Sequence, residues 1–462
     1  MKLYDLSRRM CEWDELTAWR QRFRGMLEHG DMGQLSPFTL LALPGIRADE
    51  QRVCAELWMA RRLASSKTTR DGQDFQFHTQ AARKIRIGYL SCDFHEHATA
   101  LLLIEVFENH DRDRFEVFAY SYGDDDGGGM RQRLEHTFER FVNIQGQSMS
   151  EAAVTINGDG IDILIDLKGF TRDTRTEILS FHPAPVQVNY LGYPGTLGGD
   201  LCDYIVTDRF LTPPETSDDY SESFAYLPDS YQPHSRYSTI DQAPTRAAAG
   251  LPEDGFVFCC FNQSYKITPE IFDVWCELLS HCPGSVLWLL SDKMAIGNLR
   301  NLAMQRGVLP DRLIFAEHTS QSAHLGRLQL ADLVLDTLPY NAHTTASDAL
   351  WAGVPVVTCA GDTFASRVAG SLLRAIELPE LVTHDLQAYF DLALSLASDP
   401  QRHAVLKTRL AANRLTTPLF DIERYTRHLE SLYEQMWSAH LEGRTPQAIQ
   451  SGVERVTKDA LD

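Results

Sequence analysis

From Lys84 onward the chain alternates short β-branched and aromatic runs with stretches of helical periodicity, and it does so in two successive series. This pattern predicts parallel sheets with helices on both faces, because a parallel strand needs a long crossover to reach its neighbour. The first series predicts strands over 85–91, 115–121, 163–167, 186–191 and 204–207; the second predicts them over 257–261, 286–290, 313–316, 333–335 and 355–358. Residues 1–82 lack strand-like alternation and carry helical stretches at 14–28, 38–43 and 50–63. The 462 residues exceed what one ordinary core supports, which leaves room for two lobes. The reading is an α/β chain with a helical cap at 1–82, a first lobe at 83–240, a second at 241–445 and a tail at 446–462. A proline-bearing linker is expected near 230–250, and a packed terminal helix over 422–440.

Charge and apolar content exclude several classes. The net charge of −20 leaves no basic face for general nucleic-acid or anionic-membrane binding, so any phosphate chemistry needs a local basic site. Apolar runs such as 100–106 and 286–290 fall far short of the roughly 20 residues that cross a bilayer. No apolar stretch follows Met1 as a secretory signal would require, and the nine cysteines show neither disulfide-framework nor CxxC spacing. A cytoplasmic location with reduced thiols is expected.

Doubly wound lobes bind ligands beyond the carboxyl ends of their strands, and a cleft between lobes is a favoured pocket. Four stretches fall at such positions. Residues 341–355, Asn-Ala-His-Thr-Thr-Ala-Ser-Asp-Ala-Leu-Trp-Ala-Gly-Val-Pro, read as a loop opening a helix. Thr344 or Thr345 is expected to cap that helix, whose free amides and dipole suit a diphosphate; Asp348 suits a capping role or ribose hydroxyls. The plain alternative is a well-capped helix. Lys266, in Phe261-Asn262-Gln263-Ser264-Tyr265-Lys266 after a strand, is placed to meet a pyrophosphate, against the alternative of a solvated lysine.

Asp93-Phe94-His95-Glu96-His97-Ala98-Thr99 follows the first strand and opens a helix. His97 can take or orient a proton there, while Asp93 or Thr99 can serve as a structural cap. Zinc on His95 and His97 lacks further ligands at suitable spacing, so no metal is expected. The glycine-rich loop 191–199 permits close backbone approach but does not match GxGxxG, so no nicotinamide or flavin cofactor is implied. The acidic loop 123–129 reads as a solvated turn rather than a calcium loop.

These stretches resemble the protein O-GlcNAc transferase family, which includes the plant SPINDLY proteins and bacterial cytoplasmic N-glucosyltransferases. The resemblance spans about 84–443. It is carried by Asn-Gln-x-Tyr-Lys at 262–266, His-Thr-Thr at 343–345 with Asp348, Leu-Gly-Tyr-Pro-Gly-Thr at 191–196, and the segment 362–368. It implies a GT-B fold of two Rossmann-like lobes with UDP-GlcNAc between them, inversion at the anomeric carbon, no metal or cofactor, and Ser/Thr acceptors on proteins or peptides. By resemblance Gln263 and Lys266 hold the diphosphate, His343, Thr344 and Thr345 wrap uridine and phosphate, and Asp348 binds ribose. His324 and Arg327 stack on and flank the nucleotide, His97 is the active-site histidine of the first lobe, and Pro183 and Gly192 lie near where sugar and acceptor meet.

Two departures stand out. Ala98 replaces a proline common after the histidine, and Val154 and Asn157 replace an Asp and a His of the animal enzymes. UDP-glucose or GDP-fucose as donor, Asn as acceptor, a non-catalytic nucleotide-sugar sensor and a two-lobed epimerase are the competing readings. Oligomeric state is not legible in the sequence.

Overall fold

The computed structural model describes residues 2–30, 35–64, 75–77 and 83–452. Two parallel sheets organise them. The first holds β1 (Ile85–Ser91), β2 (Phe115–Ser121), β3 (Arg140–Asn143), β4 (Ile163–Asp166), β5 (Val186–Asn189), β6 (Tyr204–Asp208) and β7 (Ser223–Leu227). The second holds β8 (Val257–Cys260), β9 (Val286–Leu290), β10 (Leu313–Ala316), β11 (Leu333–Leu335), β12 (Val356–Cys359) and β13 (Val382–Thr383). A short β14 (Ile449–Gln450) returns to the first sheet beside β7.

The strand orders are β14-β7-β6-β5-β4-β1-β2-β3 and β10-β9-β8-β11-β12-β13. Each order reverses direction once, between β1 and β4 in the first sheet and between β8 and β11 in the second. Side chains at the carboxyl ends of those strand pairs face the crevice in which such sheets bind ligands. The strands read as continuous apolar runs because both faces are covered: Ile87, Tyr89, Val117, Ile163, Ile165 and Val188 are fully buried in the first core.

The described residues form two compact units, one drawn from Met1–Leu57 and His234–Phe420, the other from Trp58–Pro233 and Asp421–Asp462. These limits differ from the sequence boundaries of 1–82, 83–240 and 241–445 in two ways. The helix Ile422–Leu441, expected beside the second lobe, packs Leu429, Leu432, Tyr433, Met436 and Trp437 into the core of the first sheet. A buried polar network reinforces it: Tyr89 Oη lies 2.8 Å from His110 Nε2 and 3.2 Å from Tyr433 Oη, and His110 Nδ1 lies 3.1 Å from Glu430. The first residues, expected as a separate cap, belong with the second sheet.

Their helices Leu16–Glu28 and Pro37–Leu40 share a small core of Tyr4, Phe23, Leu35, Leu40 and Leu43. Arg8, in the helix Lys2–Arg9, donates to the Tyr265 and Thr39 carbonyls, each at 2.9 Å. Ser264 Oγ donates to the Arg9 carbonyl at 2.8 Å, and Phe38 sets its ring against Tyr265 and Tyr340. The amino-terminal helices thus brace the turn that carries Lys266.

Between β7 and β8 the chain has neither helix nor strand, as the linker reading expects. Its second half lies on the second lobe: Asp241 N donates to Ser322 O at 3.1 Å, and Trp351 Nε1 donates to Ser238 O at 2.9 Å. Gly326 permits this approach, since a Cβ there would stand 2.6 Å from the Asp241 carbonyl oxygen.

Candidate active site

The second lobe gathers its functional side chains at the carboxyl ends of β8 and β11. After β8, Asn262 is buried, Gln263 is exposed, and a 3-10 turn Ser264–Lys266 brings the lysine inward. After β11, residues 336–343 form a loop that opens the helix Thr344–Trp351. Lys266 Nζ donates to the Asn341 carbonyl at 2.8 Å and lies 3.7 Å from the centre of the Tyr340 ring. Asn262 ties the two loops together: its Nδ2 donates to Thr337 Oγ1 at 2.8 Å, and its Oδ1 accepts from Thr345 Oγ1 at 2.6 Å.

Lys266 is buried rather than solvated. Burial pulls its ammonium down to about 8, against the attraction of Asp336. Asp336, pushed up to about 6 by its own burial, accepts from Thr337 N at 2.7 Å, Ala342 N at 2.5 Å and Thr358 Oγ1 at 2.6 Å. This carboxylate shapes the loop and supplies the countercharge that lets an ammonium persist in the interior.

The helix start differs from its sequence reading. His343, not Thr344 or Thr345, is the N-cap, and among the described residues no side chain caps the helix. The threonines are its first two residues, so their amides have no partner within the helix, and among the described residues they have none outside it. The His343 imidazole, held far below the usual histidine range by burial and then by Lys266, is neutral; its Nε2 lies 3.4 Å from the Ala365 carbonyl. An uncapped helix start beside a buried ammonium is an arrangement that suits an anion.

Beside it, the helix Gln321–Leu328 presents His324 and Arg327 around Phe261. The His324 ring centroid stands 5.4 Å from that of Phe261, and the Arg327 guanidinium 4.7 Å from it. Arg327 Nη2 lies 3.0 Å from His324 Nδ1. Burial, aided by Arg327, lowers His324 to about 4, so the imidazole is a neutral aromatic plate at pH 7. Asp348 is buried on the helix Thr344–Trp351; its Oδ1 accepts from Gln321 Nε2 at 2.9 Å and lies 3.2 Å from His234 Nε2. All eight nucleotide-side residues read from the sequence therefore fall around one sheet reversal.

In the first lobe, His97 follows β1 and is the N-cap of the helix Ala98–Asn109; its own Nδ1 accepts the Thr99 amide at 3.2 Å. The cap is thus the imidazole, not Asp93 or the Thr99 hydroxyl. Gly192 follows β5, where a Cβ would stand 1.9 Å from the Leu167 carbonyl oxygen, so the loop from β5 lies directly on the loop from β4. Glu222, buried, holds that glycine-rich loop through Leu197 N at 2.8 Å and Thr196 Oγ1 at 2.5 Å.

Pro183 does not join Gly192. It precedes β5 and lies at the amino end of that strand, where Asn157 Nδ2 donates to its carbonyl at 3.2 Å. A parallel strand carries its two flanking loops to opposite edges of the sheet, so this placement separates Pro183 from His97 and Gly192 as well.

A family model, Glycosyl transferase family 41, matches residues 66–237 and 233–429. The chain belongs to glycosyl transferase family 41. A probable UDP-N-acetylglucosamine–peptide N-acetylglucosaminyltransferase, SEC of Arabidopsis thaliana, is 42% identical over 79% of this chain and 38% of that protein. The UDP-N-acetylglucosamine–peptide N-acetylglucosaminyltransferase of Caenorhabditis elegans is 29% identical over 94% of this chain and 48% of that protein. The chain spans less than half the length of these curated relatives. A mutant O-GlcNAc transferase of Thermobaculum terrenum superposes with a TM-score of 0.80 at 31% identity, covering 88% of this chain and 77% of that one. Sucrose-phosphate synthase of Thermosynechococcus elongatus, with a TM-score of 0.52 at 14% identity over 77% of this chain and 100% of that one, shares the fold alone. With the two Rossmann-like sheets, these matches establish a GT-B α/β fold.

In this family 41 chain the first departure, Ala98, sits beside His97 as the first residue of the helix that His97 caps, while the second falls away from the strand ends that carry His97 and Gly192. Val154 is 51% exposed on the helix Met149–Gly158, and Asn157 lies in the last turn of that helix with its side-chain amide on the Pro183 carbonyl. Sequence reasoning gave no role to Asp336, Asn262, His234, Gln321, Lys168 or Glu222. The acid after β11 was the readable signal, since a carboxylate at a strand's carboxyl end is placed to organise the next loop. Among the described residues no three His, Cys, Asp or Glu side chains converge as metal ligands, and no helix is long and apolar enough to cross a membrane.

Proposed function

We propose that this chain is an inverting, metal-independent transferase that moves GlcNAc from UDP-GlcNAc to Ser or Thr hydroxyls of proteins, acting in the cytoplasm. The carrying observation is the convergence of the Lys266 ammonium and the uncapped start of the helix Thr344–Trp351, joined through Asn341 and the Asn262–Thr345 bond. The chemistry needs that convergence. As the anomeric C–O bond breaks, charge grows on the departing diphosphate, and a fixed ammonium plus unpaired amides stabilise it more in the transition state than in the ground state. Direct attack by the acceptor hydroxyl on the opposite face inverts the centre: the bond to UDP breaks as the new C–O bond forms, and the hydroxyl proton passes to water or to the departing diphosphate.

Around that anion site, His324 supplies a neutral face for the uracil ring and Arg327 flanks it. Both bonds to Asp348 fall on Oδ1, leaving Oδ2 to accept from a ribose hydroxyl. Gln263 is exposed and can reach the diphosphate from the same turn. The curated relatives' names support the donor and the peptide acceptor. The nine cysteines, all free thiols, suit a reducing compartment.

The test is incubation of the purified chain with labelled UDP-GlcNAc and a cell lysate in the presence of EDTA, followed by site mapping. Label on Ser or Thr, undiminished by the chelator, is expected. Modification only by hexose or deoxyhexose donors, or on Asn, would reassign the substrates. Tight UDP-GlcNAc binding without transfer would make the chain a sensor, and a changed sugar released without an acceptor would make it an epimerase.

A further inference from the structure

The reversal of the first sheet, between β1 and β4, is bridged by an ion pair that the proposed transfer leaves without a role. Lys168, just after β4, donates to both carboxylate oxygens of Asp93, just after β1, at 3.0 and 2.8 Å. Both side chains are buried. Burial works against the lysine's charge, but Asp93 outweighs it and the ammonium is held above its ordinary range. Cys92 Sγ adds a weak donor to Asp93 Oδ1 at 3.4 Å.

Asp93 Oδ2 also stands 3.5 Å from Nδ1 of His97, the atom that accepts the Thr99 amide at 3.2 Å. One ring nitrogen cannot accept from an N–H and donate to a carboxylate at once, so two tautomers compete. A carboxylate with its full charge beside Nδ1 draws the proton there and leaves Nε2 as a base, the logic of hydrolase triads. Here that charge is already committed.

We propose that Lys168 is a positioning residue: by holding both oxygens of Asp93 it leaves Nδ1 of His97 to the Thr99 amide and fixes the imidazole proton on Nε2. From Nε2 the ring donates a hydrogen bond to an oxygen of sugar or acceptor and does not abstract the acceptor's proton. This assignment rests on His97 lining the transferase site. The groups that bear on the ring are burial, Asp93, Lys168 and His95, whose ring centroid lies 5.8 Å away, with the exposed Asp126 beyond His95. Burial dominates and leaves the ring below its usual value, hence neutral at pH 7.

The experiment is long-range 15N–1H correlation on the full, ligand-free chain labelled at histidine nitrogen, with His97→Gln assigning the signal. Wild type is expected to show the proton on Nε2. In Lys168→Met the freed carboxylate should move it to Nδ1 and raise the ring's pKa by about one unit or more; Lys168→Arg should keep the wild-type pattern. If Lys168→Met fails to fold, the Asp93→Asn, Lys168→Met pair removes both charges together and should return the Nε2 proton. A wild-type ring protonated on Nδ1, an imidazolium at neutral pH, an unchanged signal in Lys168→Met, or an Nδ1 proton in the pair overturns the assignment. Because no donor or acceptor is present, failure here and failure of the transferase reading are read separately.

Discussion

The Lys266 ammonium donates to the Asn341 carbonyl at 2.8 Å, in the turn that leads into the helix Thr344–Trp351. A buried cation is thereby fixed beside the free amides of a helix start. Lys266→Met keeps the length and apolar stem of the side chain while deleting that cation, so a folded protein that still binds UDP, but more weakly, is expected. Turnover should fall by about 10²–10³-fold, the cost of losing one preorganised charge aimed at a leaving group. Steady-state transfer assays beside a circular dichroism melt check this; near-normal turnover in a folded variant would refute the leaving-group role.

Proton traffic at the same lysine gives a second test. Burial lowers its folded-state value from 10.5 to about 8, so the ammonium is lost as pH rises through that value. A bound diphosphate favours the charged form and lifts it. UDP affinity should therefore weaken above about pH 8, with proton uptake on binding that calorimetry in buffers of different ionisation heat detects. The sign for stability is opposite. Between about 8 and 10.5 the unfolded chain holds a proton the ligand-free folded chain has shed, so this group's contribution to stability rises with pH across that window.

His324 is expected to act by its face rather than its charge, because its value near 4 keeps it neutral. His324→Phe should hold UDP within a few-fold of wild type. His324→Ala should lose about 1–3 kcal/mol of binding, the usual worth of one base-stacking side chain. Titration of UDP by fluorescence or calorimetry separates them, and equal losses would remove the stacking role.

Two strand-end loops of the first lobe touch at Gly192, where the nearest backbone oxygen lies 1.9 Å from a hypothetical Cβ. Gly192→Ala must push the loops apart, at a cost of about 1–3 kcal/mol in stability. A thermal melt unchanged from wild type would show that the loops are not so close in solution.

Arg8 touches no proposed ligand, yet it holds the Tyr265 carbonyl next to Lys266. Arg8→Ala leaves the buried Thr39 carbonyl and the half-buried Tyr265 carbonyl without their donor, at a cost of about 1–3 kcal/mol for the buried one and less for the other. A lower melting temperature together with a several-fold weaker UDP affinity is expected. Loss of stability alone would confine the amino-terminal helices to a structural role.

The strands were legible where both faces are covered, as in β1, β2 and β9, because full burial writes an unbroken apolar run. The unread strands are three edge strands and one beside an edge: β3, with Arg140 and Asn143 exposed; β13 and β14, each only two residues long; and β7, in a stretch without helical signal. Site residues local to a strand end, such as Lys266 and the pair Thr344 and Thr345, could be placed from order alone. His234 could not, because it reaches Asp348 only when the linker folds back along the helix Gln321–Leu328, and a close approach at Gly326 leaves no periodic trace. The terminal helix was found but given to the wrong lobe. Its apolar stripe says that it packs, and not on which sheet.

That helix bears on how the chain reaches its native state. A ribosome releases β1 to β7 long before the helix Ile422–Leu441, whose Leu429, Tyr433 and Trp437 fill the same core. Until that helix emerges, the nascent first lobe lacks one of its walls and shows that apolar surface to solvent, to chaperones and to other nascent chains. A chain cut before Ile422 would keep the second lobe whole and strand the first lobe as an aggregation-prone intermediate.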